Sequence, residues 1–135
     1  MQSFQYTMRT AYADTDQMGF VHHSSYVKYL ENARWYAFRQ MAIPYKEIEK
    51  NGILLPVIHL DIQFIRPLYY DDMVRIDVWI DLVRMTKLEV RYSIFNETNH
   101  LTTKASTTLA FLKSSTGKPM AIPEFLREKI SLCLV

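Results

Sequence analysis

The amino-acid sequence predicts an α+β fold in which a five-stranded antiparallel sheet wraps around one long central helix. Apolar residues recur at three- and four-residue steps over residues 26–41, which is the spacing of one amphipathic helix. A first strand before this helix and four alternating apolar and polar segments after it read as strands with one buried face. The connections between the later segments are short, which favours antiparallel neighbours. The helix can bury its single apolar stripe only against the apolar face of the sheet.

Composition supports a globular chain and excludes several other classes. The chain has 135 residues, of which 49% are apolar and 22% are charged, and this length predicts one domain over residues 1–135. A net charge of +2 is too small to indicate binding of nucleic acid. No apolar run approaches the roughly 18 residues of a membrane span, and the first residues lack the apolar core of a signal peptide. We therefore expect a cytoplasmic protein without membrane insertion. The single cysteine, Cys133, cannot form a disulfide within the chain.

The first half of the chain predicts a strand, a polar loop and the long helix. Residues 4–12 mix aromatic and polar side chains, as a first strand does, and residues 13–19 are predicted to form a loop. Ser24 and Ser25 are typical helix N-cap residues, and Pro44 lies just beyond the predicted end of the helix. The apolar stripe consists of Tyr26, Tyr29, Leu30, Ala33, Tyr36, Ala37 and Met41.

The second half of the chain predicts four more strands and a short terminal helix. The alternating apolar series begin at Ile58, Val74, Leu88 and Thr103. The segment from Pro119 to Pro123 ends the last strand, because proline cannot donate a backbone hydrogen bond to a ladder. Residues 124–131 are predicted to form a short helix.

The polar loop before the long helix is the segment that most suggests chemistry. It contains Asp14, Asp16, His22 and His23 directly upstream of the helix. The start of a helix offers unpaired backbone N–H groups and a partial positive charge, which can hold a carbonyl oxygen as negative charge develops on it. A carboxylate nearby can then act as a base or a nucleophile. Gly19 allows the backbone to approach a ligand closely.

Other interpretations of the same residues remain open. Asp14 and Asp16 can serve only to accept backbone N–H groups in the turn. The histidine pair is a poor metal site, because neighbouring residues rarely point at one ion and no further ligands repeat nearby. A triad that uses Ser24 or Ser25 would lack the Gly-x-Ser-x-Gly elbow, and the chain has no glycine-rich phosphate loop. We therefore expect no metal and no bound cofactor.

Two motifs resemble those of a known family. Tyr12-x-Asp14-Thr15-Asp16-x-x-Gly19-x-Val21-x-His23-x-Ser25-Tyr26, followed by Tyr29-x-Glu31-x-Ala33-Arg34, resembles the signature of the hotdog-fold acyl-CoA thioesterases. The most similar group is the 4-hydroxybenzoyl-CoA thioesterase family in its Tol-Pal-associated branch. Residues 64–72, which read Phe-Ile-Arg-Pro-Leu-Tyr-Tyr-Asp-Asp, resemble the corner that leads into the family's third strand.

The resemblance implies a set of site residues. The catalytic carboxylate of the family falls on Asp16, and its polarising backbone N–H falls on His23. In the Tol-Pal-associated branch, the side chain at His23 and the tyrosine at Tyr12 also belong to the site. Gly19 and Val21 fall beside the substrate. The departures from the pattern, Met18 and His22, bear on the choice of acyl chain rather than on the chemistry.

The resemblance also implies a substrate, a reaction and an assembly. An acyl-CoA thioester would be hydrolysed by Asp16, which either attacks the carbonyl or activates water, without a metal or cofactor. The His23 side chain would orient Asp16 or protonate the departing thiolate. Two sheets would join through residues 57–65, in a homodimer or homotetramer with sites at the interface. Lys87 and Arg91, with Arg84, are candidates for binding the CoA phosphates, although solvated strand charges are the simpler interpretation.

Three functions remain open at this point. The first is hydrolysis of small to medium acyl-CoA esters, the second is hydrolysis of an acyl group on a carrier protein, and the third is non-catalytic binding of acyl-CoA. The loop carboxylate favours the enzyme. Tyr29, Ala33, Tyr36 and Ala37, with Phe20 and Met18 at the entrance, predict an apolar pocket that accepts varied aliphatic chains rather than selecting hydroxybenzoyl groups. Alternatively, these helix side chains fill the core against the sheet.

Overall fold

The computed structural model describes residues 3–133, apart from the side chains of Leu82, Val83 and Cys133. The side chain of the single cysteine, Cys133, therefore lies outside the described part. In chain order the elements are β1 (Phe4–Arg9), a 3-10 turn (Tyr12–Asp14), α1 (His23–Gln40), α2 (Tyr45–Lys50), β2 (Ile53–Leu54), β3 (Val57–Phe64), β4 (Met73–Arg84), β5 (Lys87–Phe95), β6 (Leu101–Ala110), β7 (Leu112–Lys113) and α3 (Glu124–Cys133).

One antiparallel sheet of five strands forms the body of the protein. Its strand order is β1-β4-β5-β6-β3, and every neighbouring pair is antiparallel. The register aligns Ile76, Ile94, Thr103 and Phe64 across four strands, so that alternate residues of each strand share one face. This sheet and its long helix confirm the predicted α+β architecture.

The core lies between α1 and the apolar face of the sheet. Tyr29, Ala33 and Ala37 of α1 are completely buried, as are Ile76 and Ile94 of the sheet. The stripe that the sequence predicts is thus the buried face of α1, with Arg34 and Phe38 buried as well. Neither α1 nor any other helix among residues 3–133 combines the length and apolarity that a membrane span requires.

The start of α1 differs from the sequence prediction. The helix begins at His23, and the predicted caps Ser24 and Ser25 lie inside its first turn. His22 is the N-cap instead, because its Nδ1 accepts a hydrogen bond from the backbone N–H of Ser24 at 3.1 Å. An imidazole nitrogen here replaces the side-chain oxygen that usually satisfies this N–H.

One further boundary and three short elements differ from the prediction. Strand β1 ends at Arg9 rather than at residue 12, because Thr10 turns to bond Tyr69 and Asp72 and the next residues form the 3-10 turn. The short helix α2 and the two-stranded pair of β2 with β7 lie outside the predicted elements. Elements this short carry too little periodicity to distinguish them from loops.

Strand β3 forms one edge of the sheet and is exposed. None of its eight residues is buried. Val57, Ile58, Leu60 and Phe64 are between 41% and 52% exposed, and the neighbouring Ile65 is 45% exposed. A long apolar edge strand is a surface that tends to pair with another strand.

Candidate active site

A tight hairpin presents Asp16 beside the start of α1. Thr15 and Val21 form an antiparallel bridge, and the backbone N–H of Asp16 donates to the carbonyl of Phe20 at 2.8 Å. Gly19 has a φ of +83°, a conformation that disfavours any side chain, so glycine permits the hairpin to close. The second side of the hairpin is anchored to the corner after β3, because the Val21 N–H donates to Leu68 at 2.8 Å.

The carboxylate of Asp16 has one oxygen engaged and one available. Its Oδ1 accepts the backbone N–H of Met18 at 2.8 Å and that of Phe20 at 3.2 Å. Such an Asx turn fixes the side chain relative to the loop. Among the described residues, no group donates a hydrogen bond to Oδ2. Because the residue is exposed, Oδ2 can accept a proton from water or attack a substrate carbon.

The first amide of α1 is also available. The N–H groups of His22, Ser24 and Ser25 donate to the Asp14 carbonyl, the His22 imidazole and the His22 carbonyl, respectively. Within residues 3–133, the His23 N–H has no acceptor. It therefore projects a donor at the positive end of the helix dipole, where an anionic oxygen is stabilised.

Asp16 and His23 line one cleft of about 230 Å³. The other lining residues are mainly apolar and aromatic: Phe20, Val21, Tyr26, Phe64, Ile65, Arg66 and Pro67. The His23 ring is stacked on Phe64, and Tyr26 meets Phe64 edge-on with ring centroids 5.0 Å apart. The cleft thus combines a carboxylate, a helix N-terminus and an apolar wall, which is the arrangement that an acyl group and its reacting carbonyl require.

Asp14 does not line this cleft and is buried. Its Oδ1 accepts from Lys28 Nζ at 2.6 Å, and its Oδ2 accepts from the Tyr29 hydroxyl at 2.7 Å. Burial opposes ionisation of Asp14, but the hydrogen bonds from Lys28, Tyr29 and Ala11 outweigh it and hold the pKa of the carboxyl below its usual range. Burial, together with the hydrogen bond to Asp14, raises the pKa of Tyr29 well above its ordinary value. The pair is therefore an ionised carboxylate and a neutral phenol.

Several residues predicted for the site lie elsewhere in the single chain. Tyr12 is 76% exposed, and its ring packs edge-on against Tyr70 outside the cleft. Lys87 and Arg91 lie on the sheet face opposite α1, because their inward neighbours on β5 are buried. Arg91 there lines a separate groove with Trp79 and other outward residues. The roles of these three residues stay predictions.

The predicted pocket along the helix stripe was wrong, and the core alternative is correct. Tyr29, Ala33 and Ala37 are wholly buried against the sheet, and Tyr36 packs against Tyr6 of β1. Of the two predicted entrance residues, Phe20 lines the cleft, whereas Met18 is 74% exposed and does not.

The sequence interpretation missed the wall that the corner after β3 provides. Phe64, Ile65, Arg66 and Pro67 line the cleft, although the motif that contains them predicts only a corner that leads into the next strand. The signal that could have identified them is Pro67 directly after an alternating strand, which predicts a sharp turn. Among the described residues, no group of three or more His, Cys, Asp and Glu side chains could hold a metal ion.

Comparison with known proteins places the chain among thioesterases. A family model described as "Thioesterase-like superfamily" matches residues 11–130. The "Putative acyl-CoA thioesterase YneP" of Bacillus subtilis is 31% identical over 109 residues, which cover 81% of this chain and 79% of YneP. "Acyl-CoA thioester hydrolase YbgC" of Escherichia coli O157:H7 is 29% identical over 121 residues, or 90% of each chain.

A solved structure supports the same relationship at the level of the fold. The DHNA-CoA thioesterase from Staphylococcus aureus superposes with a TM-score of 0.93 at 28% sequence identity, covering 99% of this chain and 92% of that one. This match confirms the predicted arrangement of one antiparallel sheet around a long helix.

Proposed function

This chain belongs to the thioesterase-like superfamily, and on that premise we propose that it hydrolyses the thioester bond of acyl-CoA to give a free acid and coenzyme A. The observation that carries the proposal is the cleft that Asp16 and His23 line together. Among the described residues, Oδ2 of Asp16 accepts no hydrogen bond and the backbone N–H of His23 has no acceptor. The chain is a thioester hydrolase of the hotdog fold.

The proposed reaction uses these two groups in sequence. The thioester carbonyl oxygen accepts the His23 N–H, and the helix dipole stabilises the negative charge that develops on that oxygen. Asp16 Oδ2 takes a proton from water as the water oxygen attacks the carbonyl carbon. The tetrahedral species then collapses, its C–S bond breaks, and the thiolate of CoA leaves. This leaving group needs little assistance, because a thiol of this kind has a pKa of about 8.5.

A second route uses the same atoms. Asp16 Oδ2 can attack the carbonyl carbon directly and expel the thiolate, which leaves a mixed anhydride that water then hydrolyses. Acid quenching within one turnover, followed by measurement of the intact protein mass, distinguishes the two routes. An acyl increment on Asp16 indicates direct attack, whereas an unmodified chain indicates activation of water.

Within the superfamily, we propose membership of the Tol-Pal-associated branch of the 4-hydroxybenzoyl-CoA thioesterase family. The residue pattern supports this placement, because Asp14-Thr15-Asp16, Gly19 and His23 stand at the spacing of the branch signature. The relative YbgC is named an acyl-CoA thioester hydrolase. The cytoplasmic location stays a prediction from the sequence.

We also propose that two copies pair along β3. The exposed apolar residues of this edge support the pairing, and Phe64 and Ile65 line the cleft as well, so the partner would complete its outer wall. Antiparallel pairing would bring the Val57 end of one copy to the Phe64 end of the other. Lys87 lies at the end of β5 that aligns with Val57, on the sheet face opposite α1, and its role in binding CoA stays a prediction.

The acyl group that we propose is small to medium in size. The cleft of about 230 Å³ has the volume of roughly eight water molecules, which suits a short acyl chain. Its walls are apolar, and such walls discriminate by only about 1–3 kcal/mol per methylene. Other relatives are named 1,4-dihydroxy-2-naphthoyl-CoA hydrolases, and the rings of Phe20, Tyr26 and Phe64 would also suit an aryl group.

A panel of acyl-CoA esters, assayed by release of free thiol, tests the function. Turnover of short aliphatic esters supports the proposal. The same acyl groups on an acyl carrier protein form the second arm, and preference for them by more than tenfold would indicate carrier-protein hydrolysis. Tight binding without release of thiol in either arm would indicate a binding module.

A further inference from the structure

A network of three side chains joins the Asp16 loop to the second turn of α1. Two of them, Asp14 and Tyr29, are buried, and the third, Lys28, is 58% exposed. Asp14 is 6% exposed, and both of its carboxylate oxygens are engaged. Lys28 donates to Oδ1, and Tyr29, which is completely buried, donates to Oδ2. The backbone N–H of Ala11 adds a third bond to Oδ2 at 3.3 Å. We refer to Asp14, Lys28 and Tyr29 as the clamp.

The backbone of Asp14 strengthens the same connection. Its carbonyl accepts the His22 N–H at 2.7 Å and the Ser25 hydroxyl at 3.2 Å. The side chain and backbone of Asp14 therefore form hydrogen bonds with four residues of the N-cap and first two turns of α1, namely His22, Ser25, Lys28 and Tyr29. Asp14 stands only two residues before Asp16 and one before Thr15, where the hairpin begins.

The clamp lies between the two elements that carry the reactive groups. Asp16 lies on the hairpin, whereas the His23 N–H lies at the start of α1. The hydrogen bonds of Asp14 connect the first arm of the hairpin to that helix. We propose that Asp14, Lys28 and Tyr29 are positioning residues, which hold the Asp16 carboxylate at its working distance from the His23 N–H. This inference rests on the proposed thioesterase function of that site.

Burial strengthens the hydrogen bond between Asp14 and Tyr29 more than the ion pair with the exposed Lys28. An exposed ion pair contributes little, because solvent screens it and the side chains lose entropy. Here the Asp14 carboxylate and the Tyr29 hydroxyl are both buried, so water cannot replace the hydrogen bond between them when it is lost. Loss of one clamp bond should therefore loosen the loop, and small displacements of a catalytic group can cost up to about a hundredfold in rate.

Tyr29→Phe is the sharpest test, because it removes one hydroxyl and leaves the packing of the ring intact. The matched control is Tyr92→Phe, since Tyr92 is equally buried in the core and its hydroxyl bonds Arg34 and Thr107 instead. We expect Tyr29→Phe to lower kcat about tenfold with KM changed less than twofold, and Tyr92→Phe to leave both constants within twofold. Equal losses of kcat in the two variants would overturn the inference.

A double substitution separates positioning from general destabilisation. If the clamp acts through Asp16, adding Tyr29→Phe to Asp16→Asn should cost no further activity. A second tenfold loss in the double variant would show that Tyr29 acts by another route and would refute the inference.

Amide hydrogen exchange tests the clamp without any assay of activity. The N–H groups of Met18 and Phe20 report directly on the Asp16 carboxylate that holds them. We expect them to exchange at least threefold faster in Tyr29→Phe and at the native rate in Tyr92→Phe. Unchanged exchange in Tyr29→Phe would reject the clamp even if the protein hydrolysed no thioester, whereas absence of thiol release by the unaltered protein would reject the proposed function alone.

Discussion

The imidazole of His23 stacks on the ring of Phe64, with ring centroids 4.3 Å apart and planes inclined by 22°. This contact joins the first residue of α1 to the last residue of the exposed strand β3. The group that would hold the substrate carbonyl is therefore connected directly to the edge that we propose to be the interface. Substitutions along β3 should therefore alter the activity of the site.

The first prediction concerns that edge. Ile58→Lys places a charge on β3, and a charged edge opposes pairing with another strand. We expect the variant to sediment as a monomer and to lose most of its activity, because the cleft loses its outer wall. Met85→Lys is the control, since Met85 is equally exposed, at 52%, in the turn between β4 and β5. A native protein that is already monomeric at micromolar concentration would contradict the proposed pairing.

The second prediction concerns the stacked ring itself. Phe64→Ala removes both the contact with His23 and part of the apolar wall. Aromatic pairs contribute about 0.5–1.5 kcal/mol, so we expect kcat/KM to fall roughly 2- to 10-fold, mainly through a higher KM. Steady-state kinetics measure the change, with Phe125→Ala on the remote helix α3 as the control. An unchanged KM would show that the ring does not contact the substrate.

The third prediction concerns the stability of the protein at acidic pH. A carboxyl whose pKa is lowered by folding stabilises the native state above its unfolded pKa, near 3.8 for Asp14, and this contribution is lost as pH falls through the lower folded value. The free energy of unfolding should therefore fall between about pH 5 and pH 2 less steeply in Asp14→Asn than in the native protein. Urea unfolding at intervals of one pH unit measures both slopes. Identical slopes would mean that Asp14 is not held ionised by its partners.

The fourth prediction concerns the acyl group. We expect activity across short and medium aliphatic acyl-CoA esters, with rates that change gradually with chain length, because the apolar walls of the cleft offer few polar groups to select a substituent. Rates for a chain-length series and one hydroxyaryl ester decide the matter. A hydroxyaryl ester hydrolysed a hundredfold faster than every aliphatic one would refute this prediction.

The elements with strong periodicity could be predicted from the sequence, and those set by tertiary contact could not. The stripe of α1 and the alternation of β4 and β5 predicted the buried faces correctly, because burial and periodicity have the same cause. The N-cap was misassigned to Ser24 and Ser25, because an imidazole cap depends on the orientation of one ring, which composition does not encode.

In the candidate site, too, the residues of one local motif could be predicted from the sequence, and those that reach the site through tertiary contacts could not. Asp16 and His23 were found from a local motif, because they lie seven residues apart in one loop and helix start. Phe64 and Arg66 reach the same cleft only because β3 lies beside β6 and the corner after it is bonded to Val21 through Leu68. Tyr29 was predicted as a pocket wall, whereas its hydroxyl finds a buried carboxylate that no spacing rule predicts.

The most direct test of the account is the rate of thiol release from an acyl-CoA ester by the native protein and by Asp16→Asn, with Glu128→Gln on α3 as a surface control. Loss of a positioned acid or base costs roughly 10²- to 10⁴-fold. We predict a loss of that size in Asp16→Asn, with a native unfolding transition and retained binding of the ester, a smaller loss in Asp14→Asn, and none in Glu128→Gln. Full turnover by a folded Asp16→Asn, or a greater loss in a folded Asp14→Asn, would contradict the assignment of Asp16 as the catalytic residue.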